Sequence, residues 1–497
     1  MLYDGLKIYR KVYFHIKQFV IVDSQKEAIR TLIVLALMLT LINYVETMVI
    51  PAMPTIEKQF SATATTVAWI TSAYLVVGAV ASPIFGKLGD RYGKKRVYLI
   101  SITFYSLAVL IAGFSPNIYF LIAARAIQGF GYAVFPLAIA IVTDLFPKER
   151  VAWAQGIISA TLAAGPALGL VFGSYIVQDL GWQYAFHTAF VLSIIMLAIS
   201  AKYVTEIPSK TKERIDYLGA TFLLLTVVPF LVYLSNGPHI GWTTLPQLSL
   251  LIISFISFPI FIVIERRTKE PLMSLHLFRV RNIMVANLTG ILTNSAMFLL
   301  FTGLVFYLQL PKPYGLGLSI IESGLLMSPV AVIMMAIGPI VGRAINSIGP
   351  KPLLIIGALL GMFGYYLLDI FRYNVYEILV DVTVTTAGLV NLIIPIVNMV
   401  AVSLPEEQRG IGFGMNTLIR TIGSSTGPVI STVFMDSYVT WIVYVVKGEI
   451  LPIVQVPSYS AFHYIYFTAI GFLFLALIVS LFTKNYVIKP QVAEKQI

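Results

Sequence analysis

Three ionisable residues, Glu46, Arg125 and Asp381, lie well inside long apolar stretches of the chain. A charge within a lipid bilayer costs at least ~2.5 kcal/mol, so such residues are candidates for function. A buried carboxylate can take up and release a proton, and at about 1.5 Å of rise per residue Glu46 and Arg125 lie at similar depth. We predict that Glu46 carries a proton, that Arg125 pairs with it, and that Asp381 is the reserve carrier. A purely structural ion pair is the alternative.

A second group of chemically capable residues is the stretch GKLGDRYGKKR at 86–96, which holds three glycines and five basic residues. A glycine-rich loop with lysine can bind phosphate, but a P-loop requires Gly, four residues, Gly-Lys and a hydroxyl. Counted back from Gly93-Lys94, the first glycine would fall on Leu88, and Lys95 replaces the hydroxyl. Nucleotide binding is therefore excluded for this stretch.

The same stretch suits a tight connection between two membrane helices. Gly86 and Gly89 lie three residues apart and leave a groove where another helix can approach. Gly93 permits a turn, and Asp90 can cap a helix N-terminus or pair with an arginine. The alternative is that the basic residues here only mark the cytoplasmic side.

Polar residues inside other apolar stretches are weaker candidates for a substrate cavity. Gln128, Asn294, Asn391 and Asn398 could line such a cavity or hydrogen-bond neighbouring helices. Arg420 is expected to be mainly structural, because it lies toward the cytoplasmic end of its stretch. The 27 tyrosines and 31 phenylalanines suit apolar substrates and contacts with cations.

The composition defines the elements that must position these residues. Hydrophobic residues make up 58% of the 497 positions, charged residues 11%, and the mean hydropathy is +0.86. Stretches long enough to cross a bilayer core of ~30 Å recur along the whole chain. Fourteen transmembrane spans are predicted at 31–53, 66–86, 97–114, 117–143, 153–177, 184–204, 216–235, 246–265, 283–308, 322–345, 353–371, 377–403, 411–436 and 460–483.

The positive charges give the orientation of these spans. Of the 34 Lys and Arg residues, two lie inside spans and four on odd-numbered links, so 28 lie on the termini and even-numbered links. Positive residues stay in the cytoplasm, which predicts a cell-membrane protein with both termini inside. The net charge of +11 does not indicate nucleic acid, because no segment could form a folded basic face. Without cysteine, no thiolate metal site or disulfide can form, and we expect no metal and no cofactor.

The chain contains an internal repeat. SPIFGKLGDRYGKK at 82–95 aligns with GPIVGRAINSIGPK at 338–351, an offset of 256 residues, and LFPKER at 145–150 aligns with SLPEEQR at 403–409. Both matches lie on cytoplasmic links, so the two halves run in parallel. Spans 1–6 and 9–14 then form two six-helix bundles with spans 7 and 8 inserted, a known plan of transporters that bind substrate between the halves.

On these motifs the chain resembles the Major Facilitator Superfamily, and within it the fourteen-helix drug:proton antiporters. The resemblance covers about residues 30–483. GKLGDRYGKKR matches the signature of the link after the second helix. The other segments that carry the resemblance are ETMVIPAMPTI (46–56), RAIQGFG (125–131), GPALGLVFG (165–173), IDYLG (215–219) and ERRTKEPLMSLHLF (265–278).

The resemblance implies roles for two of these segments, GKLGDRYGKKR and GPALGLVFG. Gly86, Gly89, Asp90, Arg91, Gly93 and Lys94 would form a conformational latch between the halves on the cytoplasmic side. Gly165, Pro166 and Gly169 would belong to the antiporter motif of the fifth helix, in which Thr161 and Leu170 replace glycines.

The expected fold is therefore an all-α polytopic membrane protein, a Major Facilitator fold of fourteen helices. The expected function is efflux of hydrophobic or cationic small molecules, driven by protons through alternating access and without enzymatic chemistry. The alternative is a proton-coupled or facilitated importer of a small metabolite. We expect a monomer in the lipid bilayer. The expected organisation is a basic arm (1–30), a first bundle (31–206), an insert (207–281), a second bundle (282–483) and a tail (484–497).

Overall fold

The computed structural model describes residues 2–206, 216–442, 445–446, 449–450 and 454–487. Its α-helices are α1 Leu2–Met48, α2 Met53–Phe60, α3 Ala64–Tyr92, α4 Lys94–Gly113, α5 Ile118–Gln128, α6 Val134–Leu145, α7 Lys148–Leu180, α8 Trp182–Tyr203, α9 Tyr217–Ile240, α10 Leu245–Arg267, α11 Arg281–Gln309, α12 Ile320–Leu326, α13 Ser328–Ile348, α14 Pro350–Ile370, α15 Val375–Ser403, α16 Glu406–Ser437 and α17 Tyr459–Leu481. Turns of 3-10 helix lie at Ile50–Ala52, Gly129–Ala133 and Leu275–Arg279. The strands are β1 Val439–Ile442, β2 Val445–Val446, β3 Glu449–Ile450 and β4 Val454–Pro457.

The fourteen predicted spans are confirmed as helical units. Among the described residues, twelve units are long and apolar enough to cross a membrane, and α7 and α16, of 33 and 32 residues, complete the fourteen. The fourth unit is α5 and α6, joined by the turn at Gly129–Ala133, and the tenth is α12 with α13. Helix α1 begins at Leu2, so the expected arm at 1–30 is helical and continuous with the first span.

Short polar side chains define where several helices begin. The side chains of Thr63, Asn117 and Asn374 each accept a hydrogen bond from the backbone N–H three residues later, at the starts of α3, α5 and α15. The link between α16 and α17 contains the strands, which pair antiparallel as β1 with β4 and β2 with β3. These strands were not predicted, since an all-α fold was expected.

The internal repeat is visible in two helix pairs, α1 with α7 and α11 with α16. A Cβ added to Gly169 would lie 2.3 Å from the Tyr44 carbonyl oxygen, and a Cβ added to Gly427 would lie 2.8 Å from the Ser295 carbonyl oxygen. The two glycines are 258 residues apart (169 to 427) and the two carbonyls 251 (44 to 295). The halves thus repeat the same close helix packing.

The two bundles, α1–α8 and α11–α17, meet through α3 with α16 and through α7 with α12 and α13. We call the face at which α17 ends, at Leu481, the terminal face, and the opposite one the distal face. At the distal face, Gln309 Nε2 donates to the Pro51 carbonyl oxygen at 2.8 Å, and the Ile321 N–H donates to Gln178 Oε1 at 2.9 Å. These hydrogen bonds close the distal face.

The interface helices leave open space beside four glycines near their ends at the terminal face. These glycines, on α3, α7, α13 and α16, have no neighbouring heavy atom within 4 Å of an added Cβ; they are Gly86, Gly156, Gly342 and Gly414. A methyl group added at any of the four positions would therefore meet no described neighbour.

The inserted helices α9 and α10 pack against each other at the outside of the two bundles. Helix α9 contacts α3 and α16, and the Trp69 indole N–H donates to Ser235 Oγ at 3.1 Å. Helix α10 packs mainly on α9, and Phe255 on its outer face is 68% exposed. The insert therefore covers one seam between the bundles from outside.

Candidate functional site

Glu46 lies in the last turn of α1 and is buried, with 4% exposure. The Tyr132 hydroxyl donates to its carboxylate, 3.2 Å from Oε1 and 3.3 Å from Oε2. Tyr132 belongs to the 3-10 turn between α5 and α6, and a Cβ added to Gly78 of α3 would lie 2.7 Å from the Tyr132 Cβ. The helix break and the missing side chain at Gly78 let Tyr132 reach Glu46.

Arg125 on α5 is completely buried. Its Nε donates to the Ile70 carbonyl oxygen at 2.9 Å, and its Nη1 donates to Gln128 Oε1 at 3.0 Å. The guanidinium carbon lies 4.5 Å from the centroid of the Tyr74 ring, a cation–π contact. Nη2 has no hydrogen-bond partner within the described part of the chain. Three neutral groups thus hold the cation and leave the Nη2 group, with its two N–H donors, for a water or a ligand.

The direct ion pair predicted for Glu46 and Arg125 is wrong. Across the described residues the two side chains share no hydrogen bond or salt bridge, although their charges interact electrostatically. They are linked through aromatic rings, since Tyr132 packs edge to face on Tyr74 with centroids 5.4 Å apart. Equal depth predicted that the two residues would be neighbours, but the direction of the guanidinium toward Ile70 and Gln128 decided its partners.

Arg420 lies farther from the start of its helix than the sequence analysis placed it. Helix α16 begins at Glu406, earlier than the predicted span, so Arg420 lies fourteen residues, or about 21 Å, into the helix. Tyr132 of the other bundle lies within electrostatic range of its guanidinium. Among the described residues its guanidinium has no hydrogen bond, and Nε is buried without a partner. The rule that an intramembrane charge is a candidate for function would have placed it among the candidates.

The antiporter-motif residues lie where α7 packs on α1. A Cβ added to Gly165 would lie 2.4 Å from the Asn43 Cβ, and Thr47 Oγ1 donates to the Pro166 carbonyl oxygen at 3.0 Å. Together with Gly169, these contacts fix the helix that carries Glu46. The motif therefore positions the site without contacting the Glu46 carboxylate.

The predicted latch is mostly helix, because α3 continues to Tyr92, α4 begins at Lys94, and only Gly93 lies between the two helices. Gly93 has a φ of +100°, which confirms the predicted turn, and Gly349 has a φ of +81° at the equivalent position of the repeat. Gly89 packs closely, since an added Cβ would lie 2.5 Å from Leu137 Cδ2. The groove expected at Gly86 is open in this conformation.

The charged latch residues interact within the first bundle. Lys94 Nζ lies 3.5 Å from Asp90 Oδ1 and 2.6 Å from Asp144 Oδ2, and Arg91 stacks on the Tyr92 ring at 5.1 Å. A latch contact to the second bundle at Asp90 stays a prediction.

The remaining candidates of the second bundle lie apart from Glu46. Asp381 is buried in α15 near Tyr466, and its Oδ2 has no partner among the residues described. The other three polar side chains each make local hydrogen bonds: Asn294 accepts from Ser424, Asn391 donates to the Ala387 carbonyl, and Asn398 accepts from the Tyr486 hydroxyl.

Comparison with known proteins decides the family. A family model of the Major Facilitator Superfamily matches residues 35–428 and, in a second alignment, residues 291–496. The chain belongs to the Major Facilitator Superfamily. It is therefore a multi-pass membrane transporter that acts on small molecules, with two bundles, an insert and a central charged site.

Relatives of this Major Facilitator protein include transporters named for drug export. The multidrug transporter protein MdtP of Bacillus subtilis is 29% identical over 72% of this chain and 66% of its own length. The tetracenomycin C resistance and export protein of Streptomyces glaucescens is 27% identical over 82% of this chain and 76% of its own. The crystal structure of human MFSD10 superposes with a TM-score of 0.62 at 17% identity, covering 91% of this chain and 99% of that one, and shares the fold.

Proposed function

We propose that the protein exports hydrophobic small molecules, cations among them, in exchange for protons. The observation that carries the proposal is the state of Glu46, which is buried and held by the Tyr132 hydroxyl while Arg125 is engaged by neutral groups. Such a carboxylate can gain or lose a proton without first breaking an ion pair. The relatives support this proposal, since one is named a multidrug transporter and another a resistance and export protein.

Exchange follows from competition for one carboxylate. A proton neutralises Glu46, and a cationic or polar substrate beside it favours the charged form, so binding one displaces the other. Alternating access then carries each ligand in its own direction between the two bundles. No bond of the substrate is made or broken, so we infer that the protein uses the proton gradient and neither a cofactor nor enzymatic chemistry.

Transport in inverted membrane vesicles with an imposed proton gradient tests this function. Glu46→Gln keeps the shape of the protonated acid, so uphill uptake of a drug-like dye should disappear, while downhill exchange of a neutral compound continues. Glu46→Asp should keep partial coupling. The matched control is Glu322→Gln, an exposed residue where glutamine can still cap α12. Normal uphill transport by Glu46→Gln would exclude Glu46 as the proton carrier, and its loss in Asp381→Asn would then identify the reserve.

We further propose that the protein works as a monomer in the cell membrane with the terminal face in the cytoplasm. The chain has no native cysteine, so an introduced cysteine is its only thiol, and the reaction of that thiol shows on which side of the membrane it lies. Trp441→Cys, on the distal face, should react with an impermeant thiol reagent in intact cells, and Arg96→Cys, on the terminal face, should react only after lysis. The reverse pattern would overturn the orientation.

A further inference from the structure

We propose that Arg420 binds an acidic group of the transported compound, so that the substrate range includes amphipathic carboxylates. This inference rests on the proposed function, because it assigns a substrate class to the same central site. It concerns the second bundle, whereas the proton site described above belongs to the first.

Arg420 lies in the middle of α16 at the seam with α11. One turn before it, Asn416 Nδ2 donates to Asn287 Oδ1 at 3.1 Å, and one turn after it, Ser424 Oγ donates to Asn294 Oδ1 at 3.5 Å. The turns of α16 on either side of Arg420 are thus hydrogen-bonded to polar residues of α11. None of the described residues accepts a hydrogen bond from the guanidinium itself.

Gly290 of α11 makes room for the Arg420 side chain. A Cβ added to Gly290 would lie 2.9 Å from the Arg420 Cγ. The stem of Arg420 therefore passes over a helix position without a side chain, and the half-buried Tyr132 of the first bundle lies within electrostatic range of its charged end. The guanidinium lies between the bundles, where substrates of this superfamily bind.

The charges of the site do not balance. Arg125 and Arg420 bring two positive charges, and Glu46 brings one negative charge when ionised. An arginine within a membrane is costly and normally pairs with an anion or a carbonyl, and Arg420 has neither in the part of the chain that is described. A planar carboxylate matches the fork of a guanidinium in two parallel hydrogen bonds. An acidic substrate group would therefore supply the missing counter-charge.

The test is equilibrium binding to the purified full-length protein in detergent, measured by calorimetry. The probes are coumarin-3-carboxylate and its neutral ethyl ester, which share one aromatic body. The variants are Arg420→Gln, Arg420→Lys and Gly290→Ala, and the control is Arg343→Gln, which removes an exposed positive charge from the same bundle.

The wild-type protein and Arg343→Gln should bind the acid ~10-fold more tightly than the ester, as expected for a hydrogen bond to a charged group. Arg420→Gln should abolish this preference and leave ester binding unchanged, while Arg420→Lys keeps part of it. Gly290→Ala should weaken acid binding because the new Cβ displaces the arginine stem.

Equal affinity of the wild-type protein for both probes, no binding of the acid, or an equal loss for both probes in Arg420→Gln would overturn the proposal. Because no proton gradient is present, these outcomes are distinct from a failure of proton coupling at Glu46.

Discussion

The two bundles share their packing and differ in their chemistry. The same glycine contacts join α1 to α7 and α11 to α16, at an offset of 251 for the first helix and 258 for the second. At those offsets Met297 corresponds to Glu46, and Thr383 corresponds to Arg125. Neither charged residue of the first bundle is therefore repeated in the second.

The reverse holds for the second bundle, whose central charge has no equivalent in the first. Arg420 corresponds to Leu162 at the same offset of 258. Helix packing by small residues constrains where backbones lie and leaves the inward-facing side chains free to change. The duplicated fold could thus keep its glycine contacts between helices. One half then acquired the proposed proton carrier and the other a cation for substrate.

The largest effect is expected for substitutions of Arg125, compared with substitutions at the equivalent position of the repeat. Arg125→Ala leaves the Ile70 carbonyl and Gln128 unpaired in a buried site, at about 1–3 kcal/mol for each group, and transport should fall on the order of 100-fold. Arg125→Lys should recover part of it, because an ammonium cannot make the same fork of bonds. Thr383→Ala is the control and should transport normally. Equal losses at 125 and 383 would show that the halves are chemically equivalent.

The shared packing predicts that a methyl group added at these glycine contacts lowers the stability of either bundle. Gly169→Ala and Gly427→Ala should each lower the stability by about 1–3 kcal/mol, because the new Cβ meets backbone atoms of the facing helix. Gly156→Ala and Gly414→Ala, on the same two helices, meet nothing within 4 Å and should be neutral or stabilising by up to ~1 kcal/mol. Thermal unfolding of the purified variants measures this difference. A loss of stability at only one of the two glycine contacts would contradict the repeat of helix packing.

A smaller difference between the two bundles is expected at the latch, because uncharged residues replace its charged ones in the repeat. Asp90 is 41% exposed on its side chain and contacts Lys94, while Asn346 holds the equivalent place. Asp90→Asn should weaken the terminal-face contacts by ~0.3–1 kcal/mol, which changes the ratio of conformers up to about fivefold. A cysteine at Gly156 should then react faster with a thiol reagent, and Asn346→Asp should leave that rate unchanged. Identical rates and normal transport in Asp90→Asn would mean that the stretch only sets topology.

The smallest effect is expected outside both bundles. Phe255 projects from the outer face of α10 and is 68% exposed, so Phe255→Ala should change neither substrate range nor transport rate by more than about twofold, in line with other surface substitutions. A set of dyes assayed in the same vesicles provides the measurement. An altered substrate range at normal expression would place the insert along the transport path.

Much of the fold could be predicted from the sequence, because membrane insertion depends on local composition. Each apolar stretch is identified as a membrane helix by its own free energy of transfer into the bilayer. The turn at Gly93 could be predicted because glycine tolerates a positive φ. The extension of α3 through Asp90 and Arg91 could not be predicted in this way. A helix end that projects beyond the bilayer is polar, and polar composition alone does not distinguish it from a loop.

The candidate site was predicted only as a set of residues. Glu46 and Arg125 were identified by their charge, but Tyr132, Gln128 and Ile70 became their partners through the break between α5 and α6 and the close packing at Gly78. Arg420 was expected near the cytoplasmic end of its span, whereas it lies fourteen residues into a helix that begins at Glu406.

The sequence by itself determined the number of membrane helices, the repeat and the identity of the charged residues, since all of these depend on composition along the chain. Only the tertiary structure decided which side chains meet. Membrane helices are apolar on the lipid side and on the packed side alike, so no hydrophobic face reports their rotation. The rotation is set by contacts between distant segments, such as Gly169 on Tyr44 and Gly290 beneath Arg420. Those contacts direct Glu46 toward Tyr132 and leave the guanidinium of Arg420 between the two bundles.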